Sequence, residues 1–179
     1  MKKSILSFVR GMKSPVTKEK GFLSERLSKM FGKNASEDAC LEGHLRAEHI
    51  REGQVINVIE TPNYIVDDGL AEVAALISTS GTGTKFSDIA IGTDSSATGA
   101  AQTVLSGESH RATFADAISA NTATFTATYN FTGSFTIQEA GIFNATTAGN
   151  MLSRRVFAAV NVESGDSLVI TWSITVNRS

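Results

Sequence analysis

The residues of this chain that could do chemistry are few, and their spacing matches no catalytic or metal-binding motif. The segment Gly81-Thr82-Gly83-Thr84-Lys85 has the composition of a phosphate loop, but it lacks the GxxxxGK[ST] spacing and precedes a predicted strand where that motif precedes a helix. His44 and His49 are five residues apart, which misses the i, i+4 geometry of two zinc ligands on a helix. We therefore predict a protein that is not an enzyme and that uses no cofactor or metal.

Glu139 is the acidic residue with the most informative position. The strand alternation places it on the same face as Ile137, so we expect its carboxylate to point inward and to need a partner. The candidate partners are Arg111, Arg154 and Arg155. A catalytic carboxylate would need a second acid or base nearby, and none stands at a suitable spacing, so the pair is predicted to be structural. Gly141 is predicted to mark a bulge that returns Phe143 to the core.

The elements that must position these residues are Thr-rich strands with a two-residue period. In Thr122–Phe131 the apolar residues occupy one face and Thr or Asn the other, and Leu168–Val176 repeats this pattern. The inward set of the second strand is Leu168, Ile170, Trp172, Ile174 and Val176. A sheet with one apolar face must cover it, so we predict a mainly β fold, an antiparallel β-sandwich that is jelly-roll-like, with Trp172 in its core.

One helix and several further strands complete the predicted body. The helix spans Asp67–Ile77, with Asp67 or Asp68 as its cap and a glycine in the 78–84 loop at its end. Its predicted buried stripe is Leu70, Val73, Ala74 and Ile77. The predicted strands cover 54–60, 86–91, 109–117, 123–131, 134–143, 151–162 and 167–176.

Composition limits the class of protein. The chain has 179 residues, 41% hydrophobic and 19% charged, and no apolar run approaches the roughly 20 residues of a spanning helix. A single cysteine, Cys40, excludes an internal disulfide. We expect two parts: a basic N-terminal arm with a polar connector over residues 1–52, and the sandwich body over residues 53–179. Synthesis and folding are expected in the cytoplasm.

The N-terminal arm differs from the body in charge and in hydrophobic period. Residues 1–40 hold nine basic and four acidic side chains, a net charge of +5, so the remainder carries −7. Apolar residues recur at helical spacing on both sides of Pro15, which predicts two short amphipathic helices. The predicted partner-binding residues of the arm are Ile5, Phe8, Val9, Met12, Leu23, Leu27, Met30, Phe31, Lys2, Lys3, Arg10 and Lys13. A protein surface is the favoured partner, followed by an anionic membrane and then nucleic acid, both disfavoured; a solvated tail without a partner is the alternative.

Several segments of the body together resemble a recurring phage and virus structural protein. They are Asn63 with the helix Asp67–Ile77, Ile89-Ala90-Ile91-Gly92-Thr93, Leu105 to Glu108 with Arg111, Glu139-Ala140-Gly141-Ile142-Phe143, Met151-Leu152-Ser153-Arg154, and Gly165-Asp166-Ser167-Leu168 leading to Ile170-Thr171-Trp172. The resemblance covers roughly residues 55–176. It implies a non-enzymatic virion component, either a capsid decoration or cement protein or a tail or fibre part.

From this resemblance and the charge asymmetry we expect a decoration or minor capsid protein whose arm docks on the shell. Its partners would be the major capsid protein or other virion subunits, and its location the virion after synthesis in the host cytoplasm. Exposed strand edges favour a homo-oligomer, with a trimer as the preferred form. The alternatives are a tail, baseplate or fibre component and, more distantly, a receptor- or carbohydrate-binding module.

Overall fold

The protein is described by a computed structural model that covers residues 39–178. In chain order its elements are β1 (Ala39–Arg51), β2 (Gln54–Pro62), β3 (Tyr64–Ile65), α1 (Asp67–Ile77), β4 (Asp88–Gly92), β5 (Glu108–Thr113), β6 (Ala115–Ser119), β7 (Thr122–Asn130), β8 (Phe135–Phe143), β9 (Met151–Val162) and β10 (Ser167–Arg178). The predicted mainly β fold with one helix is confirmed, and the helix has the predicted bounds.

The strands form two antiparallel sheets of five. Sheet A has the order β2-β1-β10-β7-β6 and sheet B the order β3-β9-β8-β4-β5. Apolar side chains from both sheets form one core, including Trp172 of β10, Tyr129 of β7 and Ile142 of β8. The Tyr129 hydroxyl donates to the Ile89 carbonyl at 2.6 Å and so links the two sheets. This arrangement is consistent with the predicted β-sandwich.

The connector predicted up to residue 52 is wrong for residues 39–51, which form β1. This strand lies inside sheet A, paired with β10 on one side and β2 on the other, and the compact body begins at Ala39. Leu45, Ala47 and His49 are buried on its inner face. Its outer face carries Glu42, His44, Arg46 and Glu48. Because these outer-face residues are polar or charged, the segment has the composition of a surface connector, and its two-residue period is easily missed. The alternation keeps their side chains on the solvent side of the sheet.

Helix α1 has the predicted length but not the predicted buried stripe. Gly69 and Glu72 are its buried residues, whereas Leu70 and Ile77 are exposed. Glu72 is buried because it accepts hydrogen bonds from the Thr84 amide and from the side chains of Asn144 and Asn150. Asp67 and Asp68 make no side-chain cap, since the N-cap is Val66, and the C-cap Ser78 is extended, so the expected glycine cap is also absent. The helix is therefore held against the body by the hydrogen bonds of Glu72 and by close packing of its backbone at the buried Gly69.

The outer face of sheet B is covered by α1 and by the 93–107 segment. Val66 and Leu105 pack with Ala90, Phe143 and Met151 in a second apolar cluster. The Asp67 amide donates to the Ala100 carbonyl at 2.9 Å, which joins the two covering segments. The central part of sheet B, made of β4 and the adjoining ends of β8 and β9, is thus buried on both faces.

Two expectations for individual strands are wrong. The predicted strand over 109–117 is two strands, because β5 pairs with β4 in sheet B and β6 pairs with β7 in sheet A. The chain crosses between the sheets at Phe114. Val176 is half exposed rather than buried, since it lies near the end of β10, beyond the sandwich core.

Candidate interaction face of sheet A

The outer face of sheet A carries a regular array of small hydroxyl side chains. Threonine favours strands because its branched Cβ packs well on a pleated surface, and alternation brings every second residue to one face. Pairing of β7 with β10 sets Thr122 opposite Thr175, Thr124 opposite Ser173, Thr126 opposite Thr171 and Thr128 opposite Val169. We call these eight residues, seven with a hydroxyl and Val169, the hydroxyl face. It bears no charged side chain.

The hydroxyl face is open among residues 39–178. All eight side chains are partly or fully exposed, and no described segment packs over them as α1 packs over sheet B. Only one pair of hydroxyls bonds across the strands, Thr122 Oγ1 to Thr175 Oγ1 at 2.9 Å. On one side β6 adds Ala115, Ala117 and Ser119, and on the other β1 adds a charged row. The result is an uncharged face with one charged border.

That charged border is only partly compensated, because one arginine faces three carboxylates. Arg46 bonds to Glu48 beside it and to Glu60 of β2, whose Oε1 is 3.1 Å from Arg46 Nε. The hydrogen bond to Glu48 raises the pKa of Arg46 above its ordinary value. Glu42 accepts a hydrogen bond from the neutral Asn177 amide group at 2.8 Å. A partner on this face would therefore meet hydroxyls and small apolar groups, with an acidic border on the β1 side.

A cleft of about 560 Å³ opens at one end of the face. It is lined by His44, Ser173 and Thr175 of sheet A together with Asn63 and with Tyr64 of β3. The side chain of Asn63 donates to Ser153 Oγ at 2.5 Å, and its own Oδ1 is buried without a hydrogen-bond partner among residues 39–178. This end of the face is therefore concave.

The structure pairs Glu139 with Arg154, and both side chains are fully buried. Glu139 Oε2 accepts hydrogen bonds from Arg154 Nε at 2.9 Å and Nη2 at 2.7 Å, while its Oε1 accepts one from the Gly107 amide at 2.8 Å. Arg154 also donates to the Ser96 carbonyl, the Gln102 side chain and Asp94. Every contact outside the pair goes to the 93–107 segment, so the pair holds that segment on sheet B.

The expected position of Glu139 beside Ile137 is wrong, and so is the bulge expected at Gly141. The pairing of β8 with β9 shifts between Ile137 and Glu139 and again between Ile142 and Phe143. The first shift moves Glu139 to the outer face of sheet B, because Ile137 and Ala140 both lie in the sandwich core. Gly141 itself is in register with Arg154. An added Cβ there would lie 3.1 Å from the Ser153 carbonyl oxygen, so its role is close packing.

The remaining predicted structural residues lie apart from this pair. Arg111 bonds to Glu108, to two carbonyls of the 145–148 loop, and stacks 3.9 Å from the centroid of the Phe143 ring. Within the described part of the chain, Arg155 Nε is buried without a hydrogen-bond partner. Trp172 is fully buried in the core, where its indole N–H also has no partner from the described residues.

The buried carboxylate of Asp166 and its partners were not predicted. Asp166 accepts two hydrogen bonds from Arg51 and one from the Glu163 amide, and His49 Nε2 lies 2.8 Å from its Oδ2. The Arg51 guanidinium is the largest cause that holds the pKa of Asp166 well below its ordinary value, followed by the contact with His49. These groups are more than 100 residues apart in sequence, so local pattern could not pair them. The sequence offered one local indication that His49 is buried: it follows Leu45 and Ala47 at alternate positions, which places all three side chains on the inner face of β1.

The predicted partner-binding residues of the arm, from Lys2 to Phe31, lie outside the described residues. Within residues 39–178 no helix is long and apolar enough to cross a membrane, and no group of three His, Cys, Asp or Glu side chains is placed to hold a metal ion. Comparison of the chain with protein-family models, with curated proteins and with solved structures finds no match.

Proposed function

We propose that this chain is a non-enzymatic structural protein of a virus or phage particle, a jelly-roll-like sandwich that decorates or cements the shell. The observation that carries the proposal is the open hydroxyl face. The central part of sheet B is buried on both faces, while sheet A presents an uncharged array of Thr and Ser with one Val beside a cleft. Such a face suits packing against another protein, because burying hydroxyls that can form hydrogen bonds is less costly than burying charges.

The N-terminal arm gives the proposed attachment its second contact. Its net charge of +5 opposes the −7 of the remainder, so arms and bodies of neighbouring copies attract each other, as would an acidic patch of the shell. The apolar residues at helical spacing would then anchor the arm in a groove. The partners in this proposal are the major capsid protein or other virion subunits, together with further copies of this chain.

The test is incorporation into particles of the virus or phage that encodes the chain. Thr126→Lys places a charge in the middle of the hydroxyl face, and Ala71→Lys places the same charge on the exposed surface of α1 as a control. We expect both variants to fold, and only Thr126→Lys to lose co-sedimentation with particles. Equal binding by the two variants would refute the role of the hydroxyl face, and absence of the unmodified chain from particles would refute the proposed function itself.

A further inference from the structure

The four strands at the sheet edges within residues 39–178 are not equally protected. β3 has two residues, β6 has five and contains Asp116, and β5 has six with Glu108, His110 and Arg111 among them. Short or charged edges resist pairing with another chain. β2 has nine residues, and its one charged residue, Glu60, and its proline, Pro62, both stand near its C-terminal end. It is therefore the longest described edge, and the stretch from Gln54 to Ile59 is uncharged.

β2 also exposes three adjacent apolar side chains. Val55 and Ile56 are each 52% exposed and Val58 is 42% exposed, so most of β2 stays out of the sandwich core. The pairing of β1 with β2 shifts between His49 and Ile50, which leaves Ile56 as an extra residue. Val55 and Val58 pair with Ile50 and Glu48, so both point to the outer side of sheet A.

We propose that the β2 edge pairs with β2 of a second copy of this chain, antiparallel and across a two-fold axis at Asn57. Around that residue the sequence Val55-Ile56-Asn57-Val58-Ile59 has apolar residues on both sides, so it is self-complementary. With the axis there, Val58 of each copy lies opposite Val55 and Ile56 of the other. Two residues face one because Ile56 is the extra residue of the β-bulge in β2. All three exposed apolar side chains become covered in one step, and sheet A continues into its copy.

This pairing favours a dimer over the trimer expected from edge closure alone. A trimer needs a head-to-tail contact between two different edges, and β3, β5 and β6 are too short or too charged to match β2. Glu52 and Glu60 lie toward the two ends of β2, and the chain outside residues 1–38 carries −7. Like charges on the two bodies therefore oppose this edge contact, and added salt weakens that repulsion. A contact made by the basic arm would weaken with salt instead.

Cross-linking of the full chain tests the position of the axis. In a Cys40→Ser background, Asn57→Cys places two thiols opposite each other at about 4.5–5.5 Å between Cα atoms, within disulfide range. Glu60→Cys is the matched control, because three residues from the axis its copies stand about 20 Å apart. We expect mild oxidation to convert Asn57→Cys to a covalent dimer and to leave Glu60→Cys monomeric. Equal cross-linking of the two would overturn the proposed register.

Sedimentation of the full chain tests the surface itself. Val58→Lys should raise the dissociation constant of the dimer by at least about tenfold, because it places a charge among the apolar side chains that the pairing brings together. Ile118→Lys, on the opposite edge at 77% exposure, should leave it unchanged. A monomer at every concentration, a trimer, a dimer that Val58→Lys does not affect, or one that salt dissociates would each overturn the proposal. These outcomes are read without particles, so they do not depend on the proposed virion function.

Discussion

Removal of Arg154 is the single charge change that we expect to destabilise the body most. Arg154→Met keeps an unbranched apolar side chain but removes the guanidinium, which leaves Glu139 fully buried with only the Gly107 amide as a hydrogen-bond donor. The Ser96 carbonyl loses its Arg154 donor as well, and the Gln102 side-chain oxygen keeps only the Gly99 amide. Breaking a buried ion pair by removing one partner costs ~3–5 kcal/mol, and we expect a loss of that size in the free energy of unfolding.

The assay is urea unfolding of the full chain at pH 7, with the double variant Glu139→Leu/Arg154→Met as the comparison. Replacing both charges by apolar groups removes the uncompensated carboxylate, so the double variant should be more stable than Arg154→Met alone. The slope of the unfolding line should stay unchanged in both. A loss below about 1 kcal/mol for Arg154→Met, or a double variant destabilised by the sum of the two single changes, would refute this reasoning.

Three further predictions concern other parts of the body. Trp172→Ala should lower the free energy of unfolding, measured with urea, by ~3–5 kcal/mol, because it leaves a cavity in the core where the fully buried ring packs. Gly69→Ala should destabilise the protein, although alanine normally favours helices by about 1 kcal/mol, because its Cβ would lie 2.3 Å from the Leu152 carbonyl oxygen; Gly99→Ala, with open space around it, is the control. The lowered pKa of Asp166 means that its contribution to stability is full above its unfolded pKa of about 3.9 and is lost as pH falls toward the folded value. Asp166→Asn should therefore be less stable at pH 7 and lose less stability than the unmodified chain between pH 5 and pH 3.

Strands with a clear two-residue period could be predicted from sequence. β7 and β10 were predicted within about two residues at each end, because their apolar and hydroxyl faces alternate without interruption. The helix bounds were predicted because Asp67 and Asp68 open an apolar stretch and a Gly-rich loop follows it. These signals are local, and tertiary packing does not reverse them.

Features set by contacts between distant segments could not be predicted. The charged outer face of β1 predicts a polar connector, and only the pairing of β1 with β10 and β2 shows that it is an interior strand of sheet A. The face of Glu139 depends on a register shift in β9, which the sequence of β8 does not encode. The buried side of α1 is chosen by Glu72, whose partners Asn144 and Asn150 are more than 70 residues away.

The proposed attachment through the arm also has a direct test. Because β1 begins at Ala39, a deletion of residues 1–38 removes the arm and leaves the strand intact, whereas deletion to residue 40 would shorten it. The shortened chain should remain folded and lose most of its binding to particles at low salt, where the basic arm contributes most. Full binding after the deletion would contradict arm docking while leaving the hydroxyl face as the attachment surface.

The copy number of this chain in purified particles tests the central proposal most directly. Quantitative mass spectrometry would measure it relative to the major capsid protein. A shell-covering decoration or cement role predicts a fixed ratio near one copy per capsid subunit, or one oligomer per capsomer. A few copies per particle would indicate a tail or neck component instead. Absence of the chain from particles would contradict the virion role altogether.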